Sequence, residues 1–147
     1  MKKTLNVCAL LFMLTVLLVS CKKKDDVETT DELIGSWDEN PRQSINRRLN
    51  FLPGGKFSLE VLGTDGYAQL TVDGKYEIQA GNLNIDISST LERQPSGKLV
   101  ITKTNYRLFE KATYNVKNLV LTIDYTSYPA DAPIPTQVKF NKIQDID

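Results

Sequence analysis

Apolar residues recur at every second position through most of the chain after Leu33, and no other feature restricts the possible folds as much. Phe57, Leu59 and Val61 alternate with Lys56, Ser58 and Glu60, and Leu83, Ile85 and Ile87 alternate with Asn82, Asn84, Asp86 and Ser88. Leu119, Leu121, Ile123 and Tyr125 share one face opposite Val120, Thr122 and Asp124, and Val138 and Phe140 repeat the pattern near the C-terminus. Successive strand side chains point to opposite faces, so a period of two marks strands with one buried and one wet face. No long stretch follows the helical period, and the expectation is an all-β domain.

Compact turn signals separate these runs: Gly54-Gly55, Asp73-Gly74, Gly81-Asn82 and Lys117-Asn118. Gly, Asn and Asp accept the positive φ angles of tight hairpins, so consecutive strands should be antiparallel neighbours in a meander. An immunoglobulin-like sandwich is the rival arrangement, but its crossings between sheets need longer connections. Two stretches read as longer loops, Arg93–Gly97 and the proline-rich Tyr128–Pro135, because proline cannot donate to a sheet ladder. Tyr76, Ile78, Asn82, Leu83, Ile85 is echoed by Tyr114, Val116, Asn118, Leu119, Leu121, which two similar hairpins explain without true repetition.

The first twenty residues have a different character. Lys2 and Lys3 precede an apolar run from Val7 to Val19, then Ser20 and Cys21, the layout of a secretory signal. At about 13 residues the run falls short of the ~20 needed to span a bilayer as a helix. Leu18-Val19-Ser20-Cys21 resembles the bacterial lipoprotein cleavage box, which implies cleavage before Cys21 and fatty acyl chains such as palmitate on that residue. Two or three chains make such an attachment lasting. Cys8 falls in the discarded part, so no thiol remains for a disulfide, a metal site or a nucleophile. Residues 21–32, rich in charge and poor in apolar groups, read as a tether, and 33–147 as one domain. Lys24-Asp25-Asp26 is similar to the surface-export signal of lipoproteins of the Bacteroidota, implying an outer-membrane location on its periplasmic or external face. Of 18 basic residues, two lie in residues 1–20, leaving 16 against 18 acidic ones. That balance argues against nucleic acid as a partner.

Gly35-Ser36-Trp37 matches the Gly-x-Trp motif that opens the lipocalins. With the Gly-Gly turn after Leu49, the Gly74-Lys75-Tyr76 run, the Tyr114–Ile123 pair and a closing Val138-Lys139-Phe140 strand, the order resembles the lipocalin-like domains of Bacteroidota lipoproteins. The resemblance implies an antiparallel up-and-down barrel of about eight strands, closed so that no long edge stays exposed. In lipocalins the motif tryptophan closes the barrel base under an arginine from the last strand. Here that strand offers only Lys139 and Lys142, and Trp37 is read as structural.

The chain contains no histidine, which removes the commonest general base and zinc ligand and every Ser-His or Cys-His arrangement. There is no nucleophile elbow, phosphate loop or calcium loop, and Glu60, Glu77, Glu92, Glu110, Asp86 and Asp124 mostly alternate with apolar residues and should face water. A non-catalytic monomer without cofactor or metal is expected. Two functions stay open: a tethered binder of a small apolar or amphipathic molecule, or an interaction or structural module that meets an envelope protein. The candidate ligand residues are Tyr128 and Ile134 in the last loop, and Arg47 or Arg48, of which alternation lets only one face the interior. An inward arginine with no acidic neighbour would suit a carboxylate or phosphate head group.

Overall fold

The structure, a computed structural model, describes residues 32–41, 45–64, 67–130 and 132–144. The expected signal segment, cleavage box and tether up to residue 31 lie outside these. The described residues form eight strands: β1 (Gly35–Asn40), β2 (Asn46–Leu52), β3 (Lys56–Leu62), β4 (Ala68–Gln79), β5 (Asn82–Arg93), β6 (Leu99–Lys117), β7 (Val120–Ser127) and β8 (Ile134–Lys142). Each pairs antiparallel with its neighbours in sequence, and β8 returns to β1, closing an all-β meander barrel of the lipocalin-like kind.

The alternation of the sequence becomes the two faces of the barrel wall. Phe51 opposes Phe57, Tyr76 opposes Ile85, Ile78 opposes Leu83, and Leu121 opposes Phe140, and all eight are buried. The rings interlock edge to face, Phe51 lying 5.2 Å from Phe57 and 5.0 Å from Tyr76 between centroids. Such pairs add about 0.5–1.5 kcal/mol beyond the area they bury. The short turns 53–55, 80–81 and 118–119 gather at the end where the chain enters, here called the base; the strand ends joined by the connections 41–45, 63–67, 94–98 and 128–133 lie at the other.

Four expectations need correction. Asp73-Gly74 is no turn: it sits inside β4, opposite a bulge where Ser88 is the extra residue of β5. A Cβ on Gly74 would lie 2.2 Å from the carbonyl oxygen of Asp86, so the glycine is required by a close approach of two strands. Leu119 does not share the face of Leu121, because Asn118 and Leu119 are the two turn residues, with φ of 52° and 61°, and Leu119 is exposed. Ile134 and Pro135 belong to β8 and not to the loop before it. β8 pairs with β1 only from Lys139 onward, so Pro135 faces no second ladder there. Finally, among the described residues the barrel does leave a long edge: β6 outruns β7 and is paired on one side only from Leu99 to Leu108.

Candidate functional site

At the base the barrel is sealed. Trp37 is wholly buried, and its indole N–H donates to the Leu33 carbonyl at 2.8 Å, tying the incoming chain beneath the first strand. Lys142, paired with Trp37 in register, places its ammonium 5.1 Å from the indole ring. A lysine thus takes the place that the lipocalin pattern gives to an arginine. The lysine stem crosses Gly35, whose φ of 128° is one that residues with side chains rarely adopt and where a Cβ would meet Lys142 Cε at 3.1 Å, so glycine suits this position. Above this plug, Leu49, Leu59, Val72, Ile85, Ile87 and Ile123 are buried and continue the fill.

Toward the open end the inward layer changes. Val61, Leu70, Tyr125 and Val138 are only partly buried against the core. Arg47 shares the inward face of β2 with Leu49 and Phe51, while Glu39 shares that of β1 with Trp37. The two meet as a forked pair: Arg47 Nε donates to Glu39 Oε2 at 2.9 Å, a second guanidinium nitrogen donates to Oε1, and the Arg47 backbone N–H donates to Oε2 at 3.2 Å. Arg47 Cζ also lies 6.0 Å from the Phe140 ring centroid. The hydrogen bonds it donates to Glu39 hold the guanidinium above its usual range, against the opposing pull of burial, and Tyr125 adds in the same direction. The positive charge is therefore answered within the barrel, and the condition set for a head-group site, an inward arginine lacking an acidic neighbour, is not met.

Arg48 points outward. Its Nε donates to Asp38 Oδ1 at 2.7 Å, and Glu60 stands 4.0 Å away. Asp38 is nonetheless buried, the only buried charged residue described, so Arg48 covers it and holds the outside of β1 to β2. Hydrogen bonding to Asp38 raises the Arg48 pKa above its ordinary value. This arginine takes no part in the open end. Of the surface carboxylates, Asp86 pairs with Arg107 at 3.1 Å and Asp124 accepts from Gln137 at 2.8 Å, both as wall contacts. Glu39 was not among the sequence candidates, although Trp37 two residues earlier fixes its face.

Tyr128 and Ile134 flank the last connection at the open end, 56% and 49% exposed. They are not alone there. Ile45 precedes β2, Tyr67 precedes β4, and Leu99 and Ile101 stand where β6 begins, all exposed. Each of the four connections at this end therefore carries or adjoins a large exposed apolar side chain, against only Leu52 and Leu119 at the base. Among the described residues no group of three or more acidic or cysteine ligands is placed to hold a metal ion. No protein-family model matches the chain, and neither curated proteins nor solved structures provide a match.

Proposed function

We propose that the chain is a lipid-anchored extracytoplasmic protein whose barrel takes a small apolar or amphipathic molecule at its open end, with no catalytic step. The observation that carries this reading is the difference between the two ends: a base closed by Trp37 and Lys142, and an opposite end ringed by exposed Ile45, Tyr67, Leu99, Ile101, Tyr128 and Ile134. Apolar surface gathered at one place on a small domain marks a binding surface more often than scattered exposure does. Between ring and plug, the partly buried Val61, Leu70, Tyr125 and Val138 offer an apolar lining with the Arg47–Glu39 pair as a polar floor. A ligand here would be short, or would lie partly outside the barrel, because the lower interior is filled.

Membrane attachment rests on the cleavage box at Cys21. Leu33 lies under the base, so an anchor at Cys21 would join the barrel from its sealed end through at most about 40 Å of extended chain, leaving the ring accessible. The outer membrane, with the domain on its periplasmic or external face, is the proposed location. The packed lower interior also suits a second reading, a protein-docking module of the envelope, in which the ring meets a partner. Native mass of the chain expressed with its signal, before and after organic extraction, separates the two. Extra mass that leaves on extraction and returns with one class of amphiphile supports the binder; an unchanged mass against a panel of fatty acids, sterols and quinones supports docking.

A further inference from the structure

β6 is the longest of the described strands, and among the described residues its upper half is bonded on one side only. From Leu99 to Leu108 it pairs with β5, across one register shift between Lys103 and Tyr106, whereas pairing with β7 begins at Glu110. A bend lies between: Phe109 and Lys111 have φ of 57° and 52°, and the register with β7 shifts between Glu110 and Thr113. Left-handed backbone costs a non-glycine residue about 1–2 kcal/mol. Two such residues within three turn β6 away from β7 in a definite manner. Above them Leu99–Arg107 has no strand on its second edge among the described residues. A free edge of this length is a template for one more strand.

The side chains indicate which strand fits. On the outer face, by register, Leu99 opposes Arg93, Ile101 opposes Leu91, Lys103 opposes Ser89 and Arg107 opposes Asp86. Ile101 is 73% exposed, Leu99 50%. From Lys98 to Phe109 the charges are Lys98, Lys103 and Arg107, with no acid. Arg107 is engaged by Asp86, while Lys98 and Lys103 stand exposed along the edge. A second copy would bring this basic edge against itself, and like charges facing across a ladder destabilise it. An acidic strand would gain at the same positions. A groove of about 500 Å³ on the outer wall, running from Gly54 past Lys75 and Ser88, reaches the edge at Thr104 and Asn105, where it can receive one side chain of an added strand.

We propose that the open edge of β6 docks an extended segment of a partner protein as a strand beside Leu99–Arg107, one whose residues on a single face run from apolar, beside Leu99 and Ile101, to acidic, beside Lys103. Main-chain hydrogen bonds supply the affinity; Leu99, Ile101, Lys98 and Lys103 select the sequence. This surface shares Leu99 and Ile101 with the ring, but the rest of the edge, Thr102–Arg107, does not depend on whether the barrel holds a ligand.

Amide exchange of the full chain in detergent micelles tests it, using the nine-residue peptide Thr-Val-Thr-Val-Thr-Glu-Thr-Glu-Thr and its reversed sequence, which carry Val and Glu on one face, the same peptides with Lys for Glu, and fully N-methylated acidic peptides. One of the two acidic peptides should slow exchange across Leu99–Leu108, its Lys counterpart should bind at least about threefold more weakly, and N-methylation should abolish protection. The double variant Lys98→Glu, Lys103→Glu, exposed and harmless to folding, should reverse the preference. No added protection in this stretch, or equal binding of the N-methylated peptide, would overturn the proposal. So would protection without peptide, which would assign the edge to a second copy if the native mass is dimeric and to this chain's own Asp25–Glu32 if it is monomeric.

Discussion

Replacing Gly74 by alanine adds a methyl group where β5 leaves no room for it. The new carbon would stand 2.2 Å from the Asp86 carbonyl oxygen and 3.0 Å from both the Asp86 carbonyl carbon and Ile87 Cα. Non-bonded carbon contacts settle near 3.5–4.0 Å, so the strands must part by roughly 1 Å, and backbone atoms cannot escape by changing rotamer. Overpacking costs about 1–3 kcal/mol, and with backbone on both sides the upper end applies, about 3 kcal/mol. At roughly 4 °C per kcal/mol for a domain of this size, the midpoint should fall by about 12 °C. Gly97→Ala is the control: its φ is 81° but nothing lies within 4 Å of the new carbon, so it pays backbone strain alone, about 1–2 kcal/mol. Urea unfolding followed by the fluorescence of the single tryptophan gives both numbers. A loss below 1 kcal/mol for Gly74→Ala, or one no larger than the control, would refute the close-approach explanation.

Other substitutions separate base, floor and ring. Trp37→Ala should cost about 3–5 kcal/mol by emptying the plug, measured by the same unfolding curves. Lys142→Ala should cost about 0.5–1 kcal/mol and shift tryptophan emission to the red, while Lys142→Arg keeps both near the parent values. Glu39→Ala leaves the half-buried Arg47 guanidinium without its forked acceptor, and about 1–3 kcal/mol should be lost, more than for Arg48→Ala on the outer wall. Burial raises the Tyr106 phenol above its ordinary value near 10, so its contribution to stability is complete below that value and disappears as pH climbs through the higher folded one. Tyr106→Phe should flatten the fall in stability above about pH 10, as read by unfolding at stepped pH.

How far the sequence carried varies by element. Period two, short turns and Gly-x-Trp together specify an antiparallel meander that closes over Trp37, because each of those signals is local and the barrel is a sum of local hairpins. The same locality misleads at Asp73-Gly74, since a glycine demanded by a neighbouring strand looks like a glycine demanded by a turn. Leu119 was misread by continuing an alternation one position into a turn. Nothing in the residue types of Phe109 or Lys111 announces positive φ; the bend is imposed by the mismatch between a 19-residue β6 and an eight-residue β7. At the open end, Tyr128 and Ile134 read as residues of the last loop, although Ile134 opens β8, and the ring they complete is assembled from connections about 20 to 90 residues apart in sequence. Glu39 was legible in principle from its spacing to Trp37, and its pairing with Arg47 is what removes the head-group role once open to that arginine.

The division of the barrel into a filled lower half and a receptive upper end is tested most directly by methyl NMR of the chain titrated with a short amphiphile identified by the extraction experiment. Shifts should concentrate at Val61, Leu70 and Val138, and at Ile101 and Ile134 on the ring, while the buried Leu49, Ile85 and Leu121 stay in place. Shifts led by Leu49, Ile85 and Leu121, with the upper residues unmoved, would put the ligand in the lower half and contradict the division.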